Sequence, residues 1–275
     1  MSRMTLTQLR KLKATGEKIT CLTAYDASFA HLLDQAGIDI SLVGDSLGMV
    51  IQGHDSTLPV TVDDMVYHCQ QVHRGSQRAL LIVDMPFMSY ATPDTTLETA
   101  ARLMREGQAQ VVKLEGGAWL VDTVEMLTER GIPVCAHLGL TPQSVHRIGG
   151  YRVQGRTEAE ASRMRDDALA LQAAGASLLV LECVPGDLAA DMTSWLEIPV
   201  IGIGAGAECD GQVLVLYDML GITPGKKPSF SKDFLQETGS IPAAIEAFMS
   251  AVKNGTFPGP EHTFYVKTDT IPKKG

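Results

Sequence analysis

Short apolar runs that end on an ionisable residue recur along this chain. They are Leu42-Val43-Gly44-Asp45, Leu81-Ile82-Val83-Asp84, Val111-Val112-Lys113-Leu114-Glu115, Val134-Cys135-Ala136-His137 and Leu178-Leu179-Val180-Leu181-Glu182. Runs this short and this continuously apolar read as parallel strands buried on both faces, with their polar ends gathered at one rim. The pattern predicts strands over 19–24, 38–43, 80–83, 110–114, 134–136, 178–181 and 200–203. An eighth, at 214–216, is the weakest, because only a five-residue link separates it from the seventh.

Between the strands the apolar period changes to that of a helix. Phe29, Leu32, Leu33 and Ala36 share one face, and Gly37 stops that helix. Thr92-Pro93 starts another, with Leu97, Ala100, Ala101 and Met104 as its apolar side and Gly107 as its end. Thr157 and Glu160 have capping-box spacing, and Gly175 closes the helix they open. Regular alternation of strand and helix implies a parallel sheet. At this length the fold class is a TIM-type (β/α)8 barrel, a single domain over residues 1–275. A helix at 5–18, with Leu6, Leu9 and Leu12 in register, caps the barrel floor or meets another subunit. A helical extension at 241–253 follows the barrel, and residues from about 266 to 275 read as a disordered tail. The stretches 46–59 and 138–155 each follow a strand C-terminus and read as loops covering substrate.

Composition narrows the function. A net charge of -9 over 275 residues and the absence of a basic run longer than two residues argue against nucleic-acid binding. There is no apolar leader and no window of 18 apolar residues, so a soluble, cytoplasmic protein with no membrane partner is expected. The five cysteines include no close pair, so we expect thiols packed as small hydrophobes rather than a zinc site or a disulfide framework.

At the rim, carboxylates on neighbouring strands would repel one another without a cation, which points to Mg²⁺ at Asp45, Asp84 and Glu115. Each acid taken singly could instead cap the following helix, although Asp84 precedes Met85-Pro86 and Glu is a poor cap. Lys113 lies two residues from Glu115 and so faces the same way. It would offset negative charge or bind an anionic substrate in preference to forming a Schiff base. Glu182, on a strand apart from the metal carboxylates and partly desolvated, is the candidate general base. His137 is either a donor to a developing oxyanion or a satisfied strand-end histidine. Gly202-Ile203-Gly204-Ala205-Gly206 does not open a helix and lacks the distal acid of a dinucleotide motif. Its glycines fit a barrel phosphate site or a close approach of loop or ligand. His68 and His73 read as helix-surface residues, and His54 as a loop contact.

Several of these segments together resemble one family. Tyr25-Asp26, Gly44-Asp45-Ser46-Leu47-Gly48, Gly53-His54-Asp55-Ser56-Thr57-Leu58-Pro59, Asp84-Met85-Pro86-Phe87, Lys113-Leu114-Glu115-Gly116-Gly117, His137-Leu138-Gly139-Leu140-Thr141-Pro142-Gln143, Glu182-Cys183-Val184-Pro185 and Ile203-Gly204-Ala205-Gly206 are similar to the ketopantoate hydroxymethyltransferases. The likeness runs from about residue 5 to about residue 264. It implies transfer of a one-carbon unit from 5,10-methylenetetrahydrofolate to 3-methyl-2-oxobutanoate, giving 2-dehydropantoate for pantothenate biosynthesis. It also implies Mg²⁺ at Asp45, Asp84 and Glu115, keto-acid contacts from Asp45, Ser46, Asp84 and Lys113, Glu182 as proton acceptor, and a homo-oligomer, typically a decamer. A metal-dependent C–C lyase of 2-oxo acids on the same barrel is the alternative.

Overall fold

The structure is a computed structural model that describes residues 3–225 and 227–266. The chain runs α1 (Leu6–Thr15), β1 (Ile19–Thr23), α2 (Ala27–Ala36), β2 (Ile40–Val43), α3 (Leu47–Val50), α4 (Val62–Gly75), β3 (Leu80–Asp84), α5 (Pro93–Arg105), β4 (Val111–Glu115), α6 (Val121–Glu129) and β5 (Val134–Gly139). It continues through α7 (Val145–Ile148), α8 (Glu158–Ala173), β6 (Leu178–Glu182), α9 (Gly186–Trp195), β7 (Val200–Ile203), β8 (Gly211–Leu214), α10 (Leu216–Met219), α11 (Phe234–Thr238) and α12 (Ile241–Lys253). The eight strands close in sequence order into a parallel barrel, β8 pairing with β1 through Ile19 opposite Gly211. The expected tail from 266 onward lies, Val266 apart, outside the described residues. Among the described residues no helix is long and apolar enough to cross a membrane.

Alternate strand residues fill the barrel. Cys21, Ile40, Ile82, Cys135, Val180 and Val213 surround a void of only about 10 Å³, at the lower limit for a single water. All five cysteines are buried and free, and burial pushes the Cys69, Cys135 and Cys209 thiols up to about 12, so they pack as hydrophobes. Lys113 lines the same void, one layer below the rim.

The floor is tied by two acids at strand starts. Asp39 accepts the Thr20 backbone N–H and hydroxyl at 2.9 and 2.8 Å and pairs with Lys253 of α12. Asp210 accepts the Val200 N–H and Lys13 Nζ, the latter at 2.6 Å. The lysine comes from α1, which also sinks Leu9 completely into the core, so α1 caps its own barrel.

Two expectations shift. The eighth strand lies earlier than 214–216, at Gly211–Leu214, and Leu216 already begins α10. On α5 the buried face is Thr96, Thr99, Ala100 and Leu103, while Ala101 is exposed. The threonine methyls supply apolar surface that an apolar-only pattern overlooks, and the Thr96 hydroxyl is satisfied by the Thr92 carbonyl at 2.7 Å.

Candidate active site

The strand register brings the ionisable ends together. Asp84 pairs in register with Lys113, Glu115 with His137, and Gly139 with Glu182, so each group lies one strand from the next. Asp45 follows Gly44 at the end of β2 and joins them through its backbone N–H, which donates to Asp84 Oδ2 at 3.0 Å. Lys113 Nζ lies 3.0 Å from Asp84 Oδ1 and 3.7 Å from Glu115 Oε1. His137 bridges two acids, Nδ1 standing 3.4 Å from Glu115 Oε1 and Nε2 3.4 Å from Glu182 Oε2. Glu182 is therefore one imidazole away from the carboxylate group, closer than its strand position implied. Its side chain is 15% exposed against 2% for Glu115, which makes it the acid that opens to an incoming molecule.

Uncharged residues that the strand-end pattern does not mark complete the cluster. Gln143, in the turn after β5, donates through Nε2 to Asp45 Oδ2 and to the Met85 carbonyl, both at 2.9 Å, and through its backbone N–H to Glu115 Oε2 at 3.0 Å. Its Oε1 accepts a short hydrogen bond from Tyr90. Ser46 shares a hydrogen bond of 2.9 Å with the fully buried Tyr25 hydroxyl. The two long loops meet over this rim, where the Tyr151 hydroxyl donates to the Met49 sulfur at 3.5 Å. Of the remaining histidines, His68 is held by the Tyr25 carbonyl at 2.7 Å, and His54 is exposed.

The electrostatics follow from burial and crowding. Burial, then the charges of Asp84 and Glu115, push the Asp45 carboxyl well above the usual range. For Glu115, burial works the same way but is outweighed by Lys113 and His137, which hold it low. Lys113 is raised despite its burial, because three carboxylates surround it. His137 is pushed up to about 9: burial and Lys113 favour the neutral ring, yet Glu115 and Glu182 prevail. As an imidazolium it can only donate, so Nδ1 faces Glu115 Oε1 at 3.4 Å and does not accept from Lys113, whose Nζ is 3.2 Å away.

Full ionisation of the four carboxylates, which the raised Asp45 resists without a cation, would leave two negative charges beyond Lys113 and the His137 imidazolium, the charge of one divalent cation. Asp84 Oδ1 is buried without a hydrogen bond, since Lys113 Nζ is near it but poorly aligned. An all-oxygen set with a free buried oxygen suits a hard cation such as Mg²⁺. Among the described residues no three His, Cys, Asp or Glu side chains form a preformed metal cage. Mg²⁺ needs none, because it takes one or two carboxylates and fills its other positions with water and substrate oxygens.

A family model described as ketopantoate hydroxymethyltransferase matches residues 3–260. The chain belongs to the ketopantoate hydroxymethyltransferase family. A relative from Nitrosococcus oceani, a 3-methyl-2-oxobutanoate hydroxymethyltransferase, is 67% identical over 258 residues, 94% of this chain and 98% of its own. One of the same name from Shewanella piezotolerans is 60% identical over 264 residues, 96% of this chain and all of its own. The protein is thus an enzyme, a transferase of hydroxymethyl groups. Solved barrels resemble it in fold. A 2,3-dimethylmalate lyase of the PEP mutase/isocitrate lyase superfamily has TM-score 0.56 and 19% identity, covering 78% of this chain and 82% of that one. A phosphoenolpyruvate phosphomutase from Streptomyces platensis has TM-score 0.60 and 14% identity, with 86% and 89% covered. In this ketopantoate hydroxymethyltransferase fold the acid cluster stands at the C-terminal rim, where barrel enzymes carry their chemistry.

Proposed function

We propose that this enzyme converts 3-methyl-2-oxobutanoate to 2-dehydropantoate with 5,10-methylenetetrahydrofolate as one-carbon donor and Mg²⁺ bound, acting in the cytoplasm as a homo-oligomer of decameric size. The observation that carries the reading is the joined pair of functions at the rim: a buried set of crowded carboxylates in which Asp45 resists its charge, and beside it Glu182, more open and linked to the set through His137. Asp45, Asp84 and Glu115 would hold the cation, which when bound polarises the keto group and lowers the acidity barrier at C3. Glu182 takes the C3 proton. His137 stands beside that acid, Nε2 3.4 Å from Oε2 and otherwise unpartnered among the described residues, and as an imidazolium offsets the charge that develops on the keto oxygen. Lys113 sits against Asp84 and holds Glu115 low, and Ser46, fixed by Tyr25, orients the keto acid. The enolate carbon then bonds to the donated carbon. Over the cycle one water is consumed: both carbon–nitrogen bonds of the methylene bridge break, the water oxygen becomes the new hydroxyl, and tetrahydrofolate leaves with both N–H groups restored by one proton of the water and the proton taken from C3.

The test is exchange of the C3 proton of 3-methyl-2-oxobutanoate in deuterated water, with and without Mg²⁺ and folate. Glu182→Gln should slow exchange by about 10²–10⁴-fold, the usual contribution of a general base. Exchange at the wild-type rate would remove Glu182 from the role, and cleavage of a 2-oxo acid without folate would favour a C–C lyase.

A further inference from the structure

A separate space opens beside the acid cluster. A cavity of about 360 Å³ lies between the segment after β4, the turn after β5 and the face of α8, and Glu115 is shared between its wall and the cluster. This volume falls within the range of small-molecule sites. Its walls combine three chemistries. Trp119 presents an indole that is 62% exposed, an unusual cost for so large an apolar surface in a pocket. Arg147 of α7 and Arg163 of α8 line the cavity as well, with Glu160 of α8. Among the described residues neither arginine holds a carboxylate, whereas Arg165 on the same helix holds both Glu158 and Asp191. Asp167 supplies an acceptor: Oδ1 takes the Ala118 N–H at 3.0 Å, and Oδ2 stands where a side chain on residue 117 would begin, 2.1 Å from that Cβ position.

The glycines explain how this wall is built. A Cβ on Gly116 would lie 2.6 Å from the Trp119 ring, and one on Gly117 would displace Asp167. Both positions must be bare for the indole and the carboxylate to stand where they do. The indole is also connected to the cluster. It stacks on Tyr90, with centroids 6.1 Å apart and planes at 16°, and Tyr90 hydrogen-bonds Gln143, which holds Asp45 and Glu115.

An exposed aromatic face, a carboxylate acceptor and two unpaired guanidinium groups together match a flat ring system with N–H donors and an anionic tail. We infer that this cavity is the seat of the one-carbon donor, the pterin ring stacking on Trp119 and donating to Asp167, and the carboxylates of the tail meeting Arg147 and Arg163. The inference rests on the hydroxymethyl-transfer reading, since the transferred carbon must reach a keto acid held at the cluster, and the cavity borders that cluster at Glu115.

The test uses calorimetric titration of the full chain with two probes, tetrahydrofolate and the tail-less 6-methyltetrahydropterin, alongside C3 deuterium exchange of the keto acid. The double variant Arg147→Ala/Arg163→Ala should bind tetrahydrofolate at least tenfold more weakly and 6-methyltetrahydropterin within twofold of wild type, with exchange unchanged. Trp119→Ala should weaken both probes, and Trp119→Phe should restore them. Wild-type affinity for tetrahydrofolate in both the double variant and Trp119→Ala overturns the assignment of the cavity. Failure of the wild-type chain itself to bind tetrahydrofolate while exchanging the C3 proton overturns the folate reading as well, so the two failures are distinguishable.

Discussion

At the scale of single residues, the site depends on groups with no charge of their own. Gln143 occupies Asp45 Oδ2 with one amide hydrogen bond and Glu115 Oε2 with another from its backbone, so it sets the spacing of two candidate cation ligands. Gln143→Leu should keep the fold, leave Asp45 without a partner and raise the Mg²⁺ concentration needed for C3 exchange by about 10–100-fold, the usual effect of losing a group that orients a ligand. Unchanged Mg²⁺ dependence would limit Gln143 to packing. Strand-end charges made Asp45, Asp84, Lys113, Glu115, His137 and Glu182 legible, because an ionisable residue closing an apolar run is conspicuous. Gln143 and Tyr90 lie in loops, are uncharged and follow no period, so only the folded arrangement brings them into view. Asp34 is hidden differently, inside α2, whose apolar face in the sequence pattern leaves it out. It is buried and accepts from Ser76 Oγ and the Arg78 and Ala79 N–H groups. Burial works to raise its carboxyl, but these hydrogen bonds prevail and hold it below the usual range. A depressed folded value contributes stability above the unfolded value of about 3.9, and that contribution fades as pH falls through the folded value. Asp34→Asn should therefore cost about 1 kcal/mol at neutral pH, the typical net contribution of one hydrogen bond, and the difference in urea midpoint from wild type should close below pH 4.

At the scale of elements, the turn out of β5 decides where the base stands. Gly139 has φ +94, and a Cβ there would come within 2.2 Å of the Glu182 carbonyl oxygen. No side chain fits without parting β5 from β6, the pair that holds His137 against Glu182. Gly139→Ala should cost about 1–3 kcal/mol in backbone strain alone and slow C3 exchange out of proportion to the loss of stability. Denaturation and exchange measured on the same preparation separate the two, and a stability loss with normal exchange would show that β6 does not move. Seven strands were legible because each is a continuous apolar run, the signature of a sheet covered on both sides. The eighth was misplaced for two reasons. Its buried Gln212 interrupts the apolar run, donating to the Gly206 carbonyl at 2.9 Å. Its first residue, Gly211, is bare because the Ile19 carbonyl lies 2.4 Å from its would-be Cβ. Close backbone packing where the barrel shuts thus removed the apolar side chains by which a strand is recognised.

At the scale of the whole molecule, the barrel carries its site as a strain on its own stability. Four carboxylates share one rim with two cationic partners, and the raised Asp45 carboxyl records how strongly burial and its neighbours resist the last charge. Because the folded chain holds that proton more tightly than the unfolded chain, stability falls as pH rises from about 3.9 through the folded value. A cation bound there with the keto acid would relieve that loss, stabilising the fold by about 2.7 kcal/mol at a hundred times the dissociation constant. For a chain of this size that is a rise of several degrees in thermal midpoint, at about 2–4 °C per kcal/mol. Asp45→Asn separates stability from function. The amide oxygen can still accept from Gln143, while one negative charge leaves the rim. The variant without metal should be more stable than wild type by about 0.5–2 kcal/mol, the usual yield of a single stabilising change, yet should gain little on adding Mg²⁺ and 3-methyl-2-oxobutanoate. Thermal unfolding of both proteins, with chelator and then with saturating Mg²⁺ and keto acid, gives the four midpoints required. A variant that is less stable without metal, or that responds to Mg²⁺ as wild type does, would mean that the charge at Asp45 is balanced within the protein and that the cation depends on Asp84 and Glu115 alone.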